Sequence, residues 1–203
     1  MSLFDEKAET WDDNPGRREL AARVFNAMCG LVTCSPSWRV LDAGAGTGLL
    51  TLAVADRVTH VTAVDTSAKM LEVLARKAQG LNVTTRLCPL EALELPAASF
   101  DAVVSSMALH HVADTGVALV GFARVLRAGG HLLLADLDAE DGTFHADNTD
   151  VPHFGFDRTA LAAALVDAGF DAPTFTTAWE MPRTGPDGRA RSFPIFCLHA
   201  KRI

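Results

Sequence analysis

The chain has 203 residues, 49% of them apolar, which suffices for one α/β domain with a sizeable core. Its formal net charge of −7 excludes the basic footprint of a non-specific nucleic-acid binder, and no apolar run approaches the ~20 residues of a membrane-spanning helix. The opening Met1-Ser2-Leu3-Phe4-Asp5-Glu6-Lys7 has neither a basic start nor an apolar signal core, so a cytoplasmic protein with no membrane or nucleic-acid partner is expected.

Residues 4–11 are weakly amphipathic, and Asp12-Asp13-Asn14-Pro15-Gly16 breaks them off. From Arg17 to Val32 a helical period puts Leu20, Val24, Met28 and Leu31 on one face, and Ser35-Pro36-Ser37 ends it. A strand follows from Trp38 and closes on Asp42. Three alternate glycines, Gly44, Gly46 and Gly48, form a turn into a helix over residues 47–57. The second strand, 60–65, closes on Asp65, and Ser67 caps a helix that turns Met70, Leu71 and Leu74 inward before Gly80. Residues 82–87 read as a third strand, 91–96 as a short helical loop and 100–106 as a fourth strand. Asp114 caps the next helix, and Gly129-Gly130 introduces a fifth strand over 131–137. Residues 139–156 are polar and aperiodic, and read as a loop on the active face. Asp157 caps a helix stopped by Gly169. Two strands, near 170–180 and 192–201, close the chain around a turn at 182–189.

Strands alternating with helices, then a terminal strand pair, predict a doubly wound, mostly parallel seven-stranded sheet with one antiparallel strand near the edge. The whole chain, 1–203, reads as a single domain. Within it, 1–34 form an N-terminal lid and helix, 38–137 a ligand-binding core, 139–156 the active-face loop and 157–203 a C-terminal helix and strand pair. Cys29, Cys34, Cys88 and Cys197 show no C-x-x-C and no zinc-like histidine spacing, so buried thiols and no metal site are expected.

The glycine turn chooses between two ligands. A dinucleotide fingerprint, G-x-G-x-x-G, needs its third glycine where Leu49 stands, and the acid Asp42 would repel a pyrophosphate but suits an ammonium group. Asp65 lies 23 residues beyond Asp42, where a carboxylate holds a ribose diol in either ligand class. An NAD(P)-dependent oxidoreductase is further disfavoured because the chain has no tyrosine.

Asp42-x-Gly44-x-Gly46-x-Gly48 resembles the first motif of class I S-adenosylmethionine-dependent methyltransferases, whose fold is Rossmann-like. Leu90-Glu91-Ala92 followed by Asp101-Ala102-Val103-Val104 resembles that family's adenine-contacting segment, with Glu91 for the usual aspartate and Leu90 for a frequent glycine. Ser105-Ser106-Met107-Ala108-Leu109-His110-His111-Val112 and Arg124-Val125-Leu126-Arg127-Ala128-Gly129-Gly130 resemble the small-molecule type, nearest to the menaquinone- and ubiquinone-biosynthesis methyltransferases. Phe4-x-x-x-Ala8-x-x-Trp11-Asp12 is similar to that group's N-terminal lid, with tryptophan for tyrosine. The resemblance covers residues 4–137.

It implies S-adenosylmethionine as cofactor, held by Phe4, Trp11, Asp42, Gly44, Ala45, Gly46, Thr47, Gly48, Asp65, Thr66, Met70, Leu90, Glu91, Ala92, Ser106 and His111. It also implies in-line methyl transfer to a small-molecule acceptor; a catalytically silent cofactor-binding module is the alternative. Where the acceptor must lose a proton, His111 and His153 are the candidate bases, with His110 and His145 nearby. Arg17, Arg18 and Arg23 could meet an anionic acceptor or lie on a solvated helix face.

Overall fold

The computed structural model describes residues 3–184 and 188–203. A short helix α1 (Leu3–Lys7) runs into a 3₁₀ segment (Ala8–Asp13), and the long helix α2 (Pro15–Leu31) follows. Then come β1 (Arg39–Ala43), α3 (Leu49–Ala55), β2 (His60–Asp65), α4 (Ala68–Lys77), β3 (Val83–Leu87) and β4 (Phe100–Ser106). The chain ends with α5 (Thr115–Val125), β5 (Leu126–Leu137), α6 (Arg158–Asp167), β6 (Thr174–Thr184) and β7 (Ala190–Lys201). Helix starts are set by local chemistry: the side chains of Asn14, Ser67, Asp114 and Asp157 each accept a first-turn amide at 2.9–3.1 Å. Each such cap contributes about 0.5–2 kcal/mol.

The strands form one seven-stranded sheet in the order β3-β2-β1-β4-β5-β7-β6. Pairings are parallel through β5, and β7 runs antiparallel to both β5 and β6, so the expected sheet with one reversed strand near its edge is what forms. Buried side chains fill both faces. Leu41, Val103, Phe122, Leu126, Leu165 and Phe196 join on one, and Val24, Met28, Val40, Leu50, Leu133 and Ile195 on the other. Strand order reverses between β1 and β4. That switch point opens a crevice at the strands' carboxyl ends, where the chain turns after Ala43, Asp65 and Ser106.

Two boundaries differ from the sequence expectation. β5 begins at Leu126 rather than after the glycine pair, because the pairing with β4 slips between Phe100 and Ala102. Gly130 fills that irregularity: a Cβ there would lie 2.8 Å from the Arg127 carbonyl oxygen. In the terminal pair β6 runs about four residues later than expected and β7 starts two residues earlier, with Phe170 making only an isolated bridge to Arg202. Pro182 pairs with Ser192 inside β6 instead of opening a turn, which an edge strand permits because its outward side needs no donor. Residues 185–187 of the expected turn lie outside the described residues. Among the described residues no helix is long and apolar enough to cross a membrane. Cys88 and Cys197 are buried as expected, and Cys29 and Cys34 are half-buried free thiols.

Candidate active site

The turn after β1 is shaped by its glycines in different ways. Gly44 has φ +79°, and a Cβ on it would stand 2.2 Å from the Ala108 Cβ, so its absence lets the turn after β4 close in. Gly48 has φ +86°, and a Cβ there would meet Leu74 of α4 at 2.1 Å. Gly46 faces open space where the backbone walls a cavity. Met107, just after β4, also holds a positive φ of +56° and lines the same cavity. A non-glycine residue in that conformation costs about 1–3 kcal/mol and persists only where its surroundings impose it; here Met107 N donates to the Ala135 carbonyl at 2.8 Å.

Two carboxylates close strands beside this turn. Asp42 is wholly buried, and burial pushes its carboxyl up to about 7, against the opposing pull of Thr51 Oγ1, which donates at 2.5 Å. Asp65 accepts the Gly46 amide at 2.7 Å and the Ser67 amide at 2.8 Å. Burial raises it too, while those amides and that of Thr66 act in the opposite sense. Each carboxylate oxygen keeps lone-pair capacity toward the cavity. Glu91, in the 3₁₀ turn Leu90–Ala92, accepts the Ala113 amide at 3.1 Å.

The N-terminal segment covers the opening. Asp5 accepts from Ser67 Oγ at 2.6 Å, Glu9 pairs with Arg76 at 2.6 Å, and Asp12 bridges Thr47 Oγ1 at 2.6 Å and Lys77 Nζ at 2.5 Å. Ala8 packs beneath it on Met70 and Val73. Phe4 stacks edge-on to His111 with ring centroids 5.0 Å apart and lies 5.8 Å from Trp11. Arg17 stacks on Trp11 at 3.6 Å and lines the cavity, so of the three arginines considered this one reaches it.

Histidines gather at the far wall. His110 Nδ1 meets Asp136 Oδ1 at 2.6 Å, both wholly buried, and His110 Nε2 lies 3.1 Å from His145 Nε2. His111 Nδ1 meets the Asp150 carbonyl at 2.8 Å. Burial holds the His111 and His145 rings neutral: His111 is lowered, and His145 falls to about 4, with His110, His111 and Arg183 adding to the effect.

The cavity is walled by Phe4, Trp11, Asp42, Gly44, Ala45, Gly46, Thr47, Asp65, Thr66, Met70, Leu90, Glu91, Ser106 and His111, all named from sequence. Gly48, Ala92 and His153 are not on that wall. Gly48 packs backwards on Leu74. His153 Nε2 donates to the Val112 carbonyl at 3.0 Å and its amide to the His110 carbonyl at 3.3 Å, so it clips the active-face loop to the histidine turn. The two rings that follow His153 in the chain do not wall the cavity either. Phe154 is exposed and lies over Gly142, while Phe156 packs against the core. Arg17, Leu20, Ala21, Leu49, Leu50, Met107, Ala108 and Val112 also line the cavity. In the sequence Leu20, Ala21, Leu49 and Leu50 read as helix face or core; Arg17 was a candidate for an anionic acceptor, and the β4–turn motif pointed to Met107, Ala108 and Val112.

A family model described as a methyltransferase domain matches residues 41–134. An uncharacterized methyltransferase of Mycobacterium bovis is 41% identical over 93 residues, which are 46% of this chain and 47% of that protein. The ubiquinone biosynthesis O-methyltransferase of Methylocella silvestris is 40% identical over 106 residues, 49% of this chain and 40% of that one. The chain thus spans about half the length of the curated relatives it matches. The crystal structure of the YcgJ protein from Bacillus subtilis superposes with a TM-score of 0.75 at 22% identity, covering 89% of this chain and 98% of that one, and shows the shared fold.

Proposed function

The chain carries a class I S-adenosylmethionine-dependent methyltransferase domain, and from that premise we propose that it methylates a small-molecule acceptor bearing a group that must lose a proton, such as a hydroxyl. One observation carries this reading: Asp42, the Gly44–Thr47 turn, Asp65, Leu90–Glu91 and the lid residues Phe4 and Trp11 wall one cavity whose remaining side presents His111. S-adenosylmethionine supplies a methyl group on a sulfonium, already activated for displacement.

The residues present fit that cofactor. Asp65 offers acceptor lone pairs to a diol, and charge-assisted hydrogen bonds of this kind are roughly twice as strong as neutral ones. Glu91 and the backbone of Leu90–Ala92 suit the edge of a purine. Asp42, held near 7 without a cation beside it, gains a partner in an ammonium group. Phe4, Trp11 and Met70 exclude water and tolerate a cationic sulfur. The protein's part is then mostly positioning, which can supply an effective molarity of roughly 10⁵–10⁸ M. Because His111 Nδ1 is spent on the Asp150 carbonyl, Nε2 is the nitrogen left to accept a proton from the acceptor. The M. silvestris relative's name, an O-methyltransferase, supports a hydroxyl acceptor.

Calorimetry with S-adenosylmethionine and with NAD and NADP, followed by turnover of labelled methyl groups on a panel of phenols and other small hydroxyl compounds, tests the reading. Binding of S-adenosylmethionine alone, with transfer to at least one hydroxyl, is expected. Binding without transfer to any acceptor would leave a silent cofactor module, and binding of NAD instead would overturn the assignment.

A further inference from the structure

We infer that His110, His111 and His145 form a site for one divalent transition-metal ion of the zinc class, at the wall of the cofactor cavity. One nitrogen of each ring lies within 4.8 Å of those of the other two. His110 Nε2 and His145 Nε2 are 3.1 Å apart; two nitrogens bound to one tetrahedral zinc at ~2.0–2.1 Å stand roughly 3.3 Å apart, so this pair already has ligand spacing. The His111 nitrogen, within 4.8 Å of both, would have to approach by up to about 1.5 Å for all three to bind one ion.

The surroundings of these rings are those of metal ligands. A ligating imidazole commonly donates its second N–H to a carboxylate or a backbone carbonyl, which fixes the tautomer and aims the other nitrogen's lone pair. His110 Nδ1 does this to Asp136 at 2.6 Å, and His111 Nδ1 to the Asp150 carbonyl at 2.8 Å. Asp136 is itself held rigid: its carboxylate also accepts the Leu137 amide at 2.8 Å and the His110 amide at 3.2 Å. A structural ion pair alone would explain His110 and Asp136. His145, anchored by Phe144 packed on Phe193, aims Nε2 at the lone pair of His110, where in the metal-free chain its N–H donates at 3.1 Å and a bound ion would take the place of that proton.

Three imidazoles suit zinc, copper or nickel rather than magnesium or calcium. Three protein ligands leave a fourth position for an oxygen ligand, as catalytic rather than structural zinc sites do. His111 lines the cofactor cavity and His110 and His145 do not, so an ion held by the three would sit at the cavity's edge. What the ion would do there rests on the methyltransferase reading: an acceptor hydroxyl bound to it would lose its proton to solvent more readily than a free one, in place of proton transfer to His111. The ion's binding does not depend on that reading. Spacing hid the site from sequence reading, since His145 lies 35 residues from His110.

The experiment uses the full chain without a polyhistidine tag, dialysed against Zn(II) and assayed for bound metal by mass spectrometry, with Co(II) as a visible probe. One ion per chain is expected, with cobalt bands of a four- or five-coordinate nitrogen site. His145→Ala should reduce bound zinc to near zero and abolish those bands while leaving S-adenosylmethionine affinity within about twofold, since His145 is off the cofactor wall. Asp136→Asn should weaken metal affinity by about 10- to 100-fold; should that buried change unfold the chain, His145→Ala alone decides. No stoichiometric zinc, or zinc retained in His145→Ala, overturns the inference. Zinc binding without S-adenosylmethionine binding would overturn the functional reading and leave the metal site standing, and the converse result would do the opposite.

Discussion

The two halves of the cavity are built differently. Its cofactor side comes from short, contiguous pieces: a strand end and the turn after it, repeated at Asp42–Thr47, Asp65–Thr66 and Leu90–Glu91. Its proposed acceptor side, at His111, is backed by a cluster assembled from distant pieces, with His110 meeting Asp136 from the neighbouring strand and His145 from a loop 35 residues away. The first half depends on backbone amides and glycine conformations, which tolerate little variation. The second depends on side chains carried by a turn and a loop, where chemistry can change without disturbing the sheet. Under the proposed function this arrangement would let one cofactor platform serve different acceptors, with specificity set after β4 and β5.

The sharpest way to break that division is at His111, which lines the cavity, meets Phe4 of the lid and stands beside His110. Under the proposed function His111→Ala should cut kcat by ~10²–10⁴, the usual contribution of a positioned proton acceptor. The affinity for S-adenosylmethionine, measured by calorimetry, should change little, because the strand-end acids remain. An equal fall in cofactor affinity would show that the two sides are one unit.

Next in size is the cofactor side alone. Removing a charge-assisted hydrogen bond costs about 1.5–3 kcal/mol. Asp65→Ala should therefore weaken S-adenosylmethionine binding roughly 10- to 150-fold, with kcat at saturating cofactor nearly unchanged. Unaltered affinity would remove Asp65 from the site.

The contrast also governs what could be read from sequence. β2 and β4 stand where expected, because an apolar run closing on a polar residue is a local signal. Asp42, Gly44, Gly46 and Asp65 were legible for the same reason, since an acid at a strand end or an alternate glycine fixes its own surroundings; the other ten of the fourteen cavity residues named from sequence came from the family resemblance. His153 stands off the cavity wall, and nothing local in the sequence distinguishes a ring at a ligand from one donating to the Val112 carbonyl, 41 residues away in the chain. Leu20, Ala21, Leu49 and Leu50 look like ordinary helix faces until the sheet sets them at the crevice. Pro182 misled in another way. Its usual meaning is a turn, and only the edge position of β6 lets it stay in a strand.

A smaller effect sharpens the cofactor side by pH. Asp42 is raised to about 7 from 3.8 by burial, so the folded chain holds a proton that the unfolded chain has already released. Apo-protein stability should accordingly fall as pH climbs from the unfolded value toward 7, the sign expected when the native state binds more protons. Cofactor affinity should run the other way. If an ammonium group needs the ionised carboxylate, affinity should rise about tenfold between pH 6 and pH 8, since the charged fraction rises by that factor around a pKa near 7. Calorimetry in buffers of different ionisation enthalpy should register proton release on binding, and Asp42→Asn should abolish both the release and the slope. A flat profile in the unaltered protein would mean that Asp42 meets no cation.

The smallest expected effect concerns the lid, and it asks whether the cover belongs to the platform or to the acceptor side. Its fastenings are polar and sit at the rim: Glu9 to Arg76 is an exposed pair, and such pairs contribute about 0–1 kcal/mol. Asp12 is better placed, bridging Thr47 Oγ1 in the glycine turn and Lys77 on α4. Deleting the whole segment would uncover Met70 and Val73 and confuse lid with core, so the single change Asp12→Ala is the cleaner probe. Losing about 0.5–1.5 kcal/mol of net hydrogen bonding should loosen the closed state by roughly 2- to 12-fold. If the lid seals the cofactor, that factor appears as faster S-adenosylmethionine dissociation, with association barely altered, in a stopped-flow measurement. If it seals the acceptor instead, cofactor kinetics stay fixed and the factor appears in the acceptor KM. The contacts favour the first outcome: Asp5, Glu9 and Asp12 all fasten to the β1 turn or the start and body of α4, and only Phe4 reaches across to His111.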